Sequence, residues 1–439
     1  MCRPLHAFAA TLLSTGLLAG QAAAQLADAP WPKWQRDLRN SGWTPAVGPS
    51  GPRVKWAIDF HGISLQPGPA IGPEGELYIG WSICFQPKFL SLTRGDFWRC
   101  AWFTRISTAG EVEWEYPLSD FYAFFATLDA QGRLFVVDGW DEDRYGASHA
   151  YAFSREGNRL WGPRVNPPYS PFVLSHMTIG RDGTLFYPDG GAVLTAINPN
   201  DGSQRWRRSL GSRASVADCP SIGADGTVYT TSADAIWALD PATGAIRWSV
   251  PGPSPGGVTG TSIGPDGTVY ACFNPRGASW LLAASAKGEP LWEIQLVSFP
   301  TFPPSIDPQG RLYLMSGSLE TGPLLESYDP NGGLRWRISV PGSYASPVVL
   351  DGHNNVYLAS VAGSPSFTTL YSCTSEGEFR WEFSEATSAL PRYQAPVIGP
   401  DGTIYLMVDV GGSEDDIMRF YAFGPGEAPD PAWVGRLKP

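Results

Sequence analysis

The stretch from Pro220 to Trp248, PSIGADGTVYTTSADAIWALDPATGAIRW, recurs along most of the chain in degenerate copies, and this repeat restricts the fold more than any other feature. It reads as four short strands. Ser221 to Gly223 and Thr227 to Thr231 flank Ala224-Asp225-Gly226, where glycine takes the positive φ of a tight hairpin. Ala235 to Leu239 and Ala245 to Val250 flank a second turn, Asp240-Pro241-Ala242-Thr243-Gly244. Strands this short do not fold alone, and a single four-stranded sheet leaves apolar faces wet, so each unit must stack on its copies. The composition fits: Gly 50 and Pro 41 supply turns, and 43% hydrophobic with 17% charged residues suits a large buried core.

Seven complete copies each pair a hairpin turn with a Trp-bearing last strand. From Trp161 through Trp206, Trp248, Trp292 and Trp336 to Trp381 the tryptophans recur every 42 to 45 residues, the spacing of four-stranded propeller blades. An eighth unit starts at Ala395 and loses its pattern after Phe423, without a last strand. Val54-Lys55-Trp56-Ala57-Ile58-Asp59 is a last strand without its three predecessors. The two fragments complete one blade, and joining them removes the open edge of the array. Trp433 is a poorer candidate for that strand because Pro429 and Pro431 flank it. The expectation is an all-β, eight-bladed propeller of four-stranded antiparallel blades, closed by an N-terminal strand.

Residues 1–24 have a basic start, an apolar run from Ala7 to Leu18 and Ala22-Ala23-Ala24 before Gln25, the layout of a cleavable secretory signal. Leu17-Leu18-Ala19-Gly20 leads to Gln21 where a lipidated cysteine would stand, so no lipid anchor is expected. The chain thus divides into a signal (1–24), a lead-in (25–50), the propeller (51–428) and a tail (429–439). It is expected to be soluble, monomeric and periplasmic or secreted, with no membrane-spanning segment. A net charge of −11 without a basic stripe speaks against nucleic acid. Beyond Cys2 five cysteines remain. Cys84 and Cys100 bracket one insertion and are the candidate disulfide; Cys219, Cys272 and Cys373 read as small buried hydrophobes.

The units Pro220-Ser221-Ile222-Gly223-Ala224-Asp225-Gly226-Thr227-Val228-Tyr229 and Ala238-Leu239-Asp240-Pro241-Ala242-Thr243-Gly244-Ala245-Ile246-Arg247-Trp248 resemble the pyrroloquinoline-quinone-like (PQQ-like) β-propeller repeat family, as does the lead-in Trp31-Pro32 with Asn40-Ser41-Gly42. The resemblance implies the fold. For function it implies either a quinone dehydrogenase or a non-catalytic protein, such as the scaffold lipoprotein of the bacterial outer-membrane barrel assembly machine. The adjacent cysteines and the acid and amide calcium set of the dehydrogenases have no counterpart here, so no cofactor, metal or catalytic residue is assigned, and PQQ with calcium stays an alternative.

The Asp of each Asp-Gly turn and the Trp of each last strand recur in blade after blade, as turning and packing residues do and a catalytic residue does not. His61, His149, His176 and His353 are scattered and read as surface or hydrogen-bonded side chains. Function is sought where the pattern breaks. The connections from second to third strand, and from one blade to the next, emerge on one face and carry Trp98, Phe121, Tyr122, Trp140, Asp141, Asp143, Tyr169, Tyr344, Arg392 and Tyr393. This face is the candidate partner surface, for a protein first and a saccharide as the alternative, with carbohydrate cleavage or quinone-dependent oxidation as the enzymatic readings.

Overall fold

The computed structural model describes residues 25–61, 68–85, 98–118, 122–123, 126–139, 148–166, 176–188, 192–211, 219–253, 255–275, 277–298, 300, 302–318, 322–363, 366–387, 395–410 and 417–424. They form eight antiparallel sheets, one per blade, in a ring. In blade 4 the strands, lettered a to d from the axis outward, are Ser221–Ile222, Val228–Ser232, Ala235–Leu239 and Ile246–Pro251, within a residue or two of the sequence reading. No helix among the described residues is long and apolar enough to cross a membrane.

Blade 8 closes as expected. Its strands are Val397–Ile398, Ile404–Asp409 and Ile417–Phe423, and Val54–His61 adds antiparallel to the last of these, from Val54 opposite Phe423 to His61 opposite Ile417. Arg419 clamps the seam with both carboxylate oxygens of Asp59, at 2.6 and 2.7 Å, a bidentate geometry that fixes register.

Each blade is built on one cross-strand row. Tyr229, Ala238 and Trp248 stand side by side in blade 4, and the small central residue lets the two rings meet at 5.5 Å. The row recurs as Phe186-Ala196-Trp206, Tyr270-Ala283-Trp292, Tyr313-Ser327-Trp336 and Tyr405-Ala422-Trp56. Each of these tryptophans except Trp381 also reaches the next blade: its indole N–H donates to a carbonyl in that blade's c–d turn, Trp161 to Pro199 at 2.8 Å and Trp206 to Pro241 at 2.9 Å. The turn glycine lies flat against the indole because it has no Cβ and a positive φ, as at Gly244 (φ 66°) over Trp206. The tryptophans therefore pack blade on blade, as their recurrence implies.

The a–b turns show one carboxylate place filled in different ways. In blades 3, 4, 5 and 8 the third turn residue, Asp182, Asp225, Asp266 or Asp401, accepts from the backbone N–H and hydroxyl of a threonine two residues on. The first turn residue is then glycine, and a Cβ on Gly223 would lie 3.0 Å from Asp225 Oδ1. In blades 2, 6 and 7 the first residue is itself the acid: Asp129, Asp307 and Asp351 are buried, each accepts two backbone N–H groups from its own turn, and Asp351 accepts a third from Gly48. Blade 1 uses Glu76, the residue just before strand b, which accepts from the Glu74 N–H. The turn carboxylates are structural.

Candidate functional site

Antiparallel order puts the a–b and c–d turns at one end of the ring and the b–c and d–a connections at the other. At the turn end the axis is filled by the chain itself. Carbonyls of Trp31, Pro32, Leu38, Arg39, Ser41 and Gly42 accept the N–H of Ile71, Leu128, Ile222, Ile263, Ile306 and Leu350, the last strand-a residues of blades 1, 2, 4, 5, 6 and 7. The lead-in thus travels round the inside of the ring in blade order. Positive φ at Gln35 (57°), Arg36 (70°), Asn40 (57°) and Gly42 (60°) bends it into so tight a path.

At the centre Lys33 is fully buried and donates to the carbonyls of Trp34 and Asp37 and to Asn40 Oδ1. Asn40, equally buried, donates to the carbonyls of Cys219 and Thr261, each at 2.8 Å. Trp34 stacks on His176 with ring centroids 4.9 Å apart. Burial and the nearby Lys33 charge push the His176 pKa down to about 3, so the ring is neutral. Of the histidines read as surface or hydrogen-bonded side chains, His149 and His176 are buried, and His61 and His353 are exposed. The segment then passes Val47 against Gly402 of blade 8, and the Pro49 carbonyl accepts from Trp381, replacing the c–d turn that blade 8 lacks where the termini meet.

At the other end, short strands continue from the d–a connections. Tyr122 stands opposite Gly139, Gly257 opposite Asn274 and Tyr344 opposite Val361, so d–a and b–c connections leave the ring together. Trp98 opens strand c of blade 1, opposite Phe85. The structure places the backbones of Trp98, Tyr122 and Tyr344; Phe121, Trp140, Asp141, Asp143, Tyr169, Arg392 and Tyr393 lie outside the described residues. In the blade 1 hairpin Cys84 is opposite Arg99 and Cys100 opposite Ile83. Cys219, Cys272 and Cys373 are buried, and burial raises the Cys373 thiol to about 12 and the Cys272 thiol further, so both stay protonated.

Among the described residues no group of three or more His, Cys, Asp or Glu side chains is arranged to hold a metal ion. On the inner strands, hydroxyls are committed to the protein: those of Ser221 and Thr261 meet at 2.7 Å, and Thr231 donates to the Thr259 carbonyl at 2.8 Å. Among the described residues no donor set fits a calcium ion or a quinone, and no chemical step is derived through either.

A family model described as outer membrane protein assembly factor BamB matches residues 103–219 and 146–318. No curated protein sequence matches the chain. Among solved structures, BamB from Moraxella catarrhalis has a TM-score of 0.53 at 15% identity, covering 84% of this chain and 100% of that one. A europium-containing methanol dehydrogenase gives 0.64 at 12% identity, over 87% and 89%. The quinohemoprotein alcohol dehydrogenase ADHIIG from Pseudomonas putida HK5 gives 0.59 at 12% identity, over 94% and 82%. Likeness at such identities speaks to fold and not to chemistry. Blade rows, turn chemistry, ring closure and these matches lead to one statement: the chain is a PQQ-like eight-bladed β-propeller.

Proposed function

We propose that this propeller is a non-catalytic, extracytoplasmic scaffold that binds a protein partner through its loop-bearing end. The observation that carries the reading is the occupied turn end: residues 31–46 satisfy the inner strands and their own buried polar groups, leaving the opposite end for a partner. The description of the matching family as an assembly factor supports the same reading. Trp98, Phe121, Tyr122, Trp140, Asp141, Asp143, Tyr169, Tyr344, Arg392 and Tyr393 form the contact surface in this proposal, after removal of residues 1–24, with residues 429–439 as a C-terminal tail.

The test is affinity capture from a bacterial envelope extract with the full mature chain and with Y169A/Y393A. A reproducible partner lost in the double variant is expected. Equal recovery by both would refute the loop-end assignment. Turnover of an alcohol or sugar in a dye-linked assay after loading with PQQ and calcium would replace the scaffold reading by oxidation, and glycan-array binding would replace it by saccharide recognition.

A further inference from the structure

The lead-in meets the ring at its very start. Among the described residues the earliest bond is to Gln25, whose carbonyl accepts the Ala130 N–H of the blade 2 a–b turn at 2.7 Å. Leu26 then bridges antiparallel to Asp129, and the Ala27 N–H donates to the Leu128 carbonyl at 3.0 Å. Exposure falls along these three residues, from exposed Gln25 through half-buried Leu26 to buried Ala27. The backbone carbonyl of Gln25 is therefore pinned while the residue stays exposed. Among the described residues no hydrogen bond or ion pair engages its side chain or its nitrogen.

Removal of residues 1–24, which end in Ala22-Ala23-Ala24, makes Gln25 the first residue and gives it a free α-amine. We propose that Gln25 is a modification site at which the mature chain closes to a pyroglutamyl terminus. The α-nitrogen, Cα, Cβ, Cγ and Cδ of a first-position glutamine make up a five-membered ring, so amine and carboxamide react as neighbours within one residue. The neutral amine adds through its lone pair to Cδ of the side-chain carboxamide. An N–Cδ bond forms, the Cδ–Nε2 bond breaks, and Nε2 leaves as ammonia with one proton taken from the amine. Nothing is oxidised or reduced, and no co-reactant is consumed. An α-amine titrates near about 7.7–8.0, which leaves a fraction of it unprotonated at neutral pH for this attack.

The fold suits this reaction. Gln25 is exposed, and among the described residues its reacting groups hold no partner, so ring closure breaks no contact there. The Gln25 carbonyl takes no part in the ring, so the bond from Ala130 persists in the product. The lactam also removes the terminal amine on which aminopeptidases act, at the end of the segment that supplies the Trp31 and Pro32 carbonyls to blades 1 and 2. A closed terminus keeps that segment from being trimmed out of the axis. The modification rests on the expected removal of residues 1–24 and is independent of what the loop-bearing end binds.

For the test the full chain is expressed with its own first 24 residues, purified from envelope or medium, and digested with trypsin, which releases residues 25–33 as one peptide ending at Lys33. A synthetic free-amine peptide of the same sequence goes through the same handling, and Q25N supplies a terminus one carbon too short for the ring. Mass spectrometry should find the parent peptide starting at residue 25 and lighter by one ammonia, beyond any conversion of the synthetic control. It should resist amine labelling until pyroglutamyl peptidase is applied to it, whereas the Q25N peptide should label directly. A peptide that starts at residue 25 with its amine free, or with no more lactam than the control, overturns the proposal and leaves the cleavage standing. An equally blocked Q25N terminus overturns it as well, since that block is not the lactam. A first residue other than Gln25 overturns both the cleavage and the modification.

Discussion

Asn40 is the pin of the axial segment, and its replacement by alanine tests the whole arrangement. The side chain spans blades 4 and 5 by donating to the carbonyls of Cys219 and Thr261, and it accepts from the buried Lys33 ammonium. Alanine leaves two buried carbonyls without that donor, at about 0.5–1.5 kcal/mol each, and removes a bond to a charged group worth about 1.5–3 kcal/mol. It also puts a Cβ residue without a local hydrogen bond at φ 57°, costing about 1 kcal/mol more. Even at the low end of each range, N40A should lose about 3–4 kcal/mol in a urea melt. N40G relieves the backbone cost alone and should recover about 1 kcal/mol of that loss. Hydrogen exchange gives a local readout, since the amides of Ile222 and Ile263 donate to Leu38 and Arg39 beside the pin and should exchange faster in N40A. A loss under about 1 kcal/mol with unchanged exchange at both amides would refute the reasoning.

Trp161→Ala should cost about 3–5 kcal/mol as a core truncation, whereas W161F, losing chiefly the bond to the Pro199 carbonyl, should cost about 1–2 kcal/mol by thermal melting. Gly244→Ala puts a Cβ 2.6 Å from Trp206 and should destabilise clearly more than G277A, where φ is also positive but nothing lies within 4 Å. His176 is neutral when folded and protonates when unfolded below its ordinary value near 6.5, so stability should decline as pH falls from there toward about 3; at pH 5 the loss is about 2 kcal/mol, and H176Q should flatten that slope.

The ring was legible because each blade spends the same residues in the same places. Tryptophan at a steady interval, glycine at the hairpin, one orphan strand near the start and a unit without its last strand near the end are enough to count eight blades and to close them. The turn acids were assigned correctly to turning, although the exchange of acid and glycine between first and third positions emerges only when the shared space is seen. The path of the lead-in was not readable. It has no period, and its shape comes from four left-handed residues and from carbonyls that meet strands far along the chain. His176 gave no signal, because its burial depends on Trp34 from that same segment. The loop-end aromatics belong to connections whose course no repeat dictates, which is why sequence could nominate Trp98 or Tyr169 but not orient them.

The filled axis has a consequence for how the molecule assembles in time. Asn40 waits for Cys219 and Thr261, Pro49 for Trp381, and Asp59 for Arg419, partners separated by 179 to 360 residues. The earliest part of the described chain to be synthesised is therefore the latest to find its partners, and it can settle only after the blades have gathered around it. Loop closure over such separations is slow, so the final step should set the refolding rate, and Asn40 replacements should speed unfolding while leaving early blade formation unchanged.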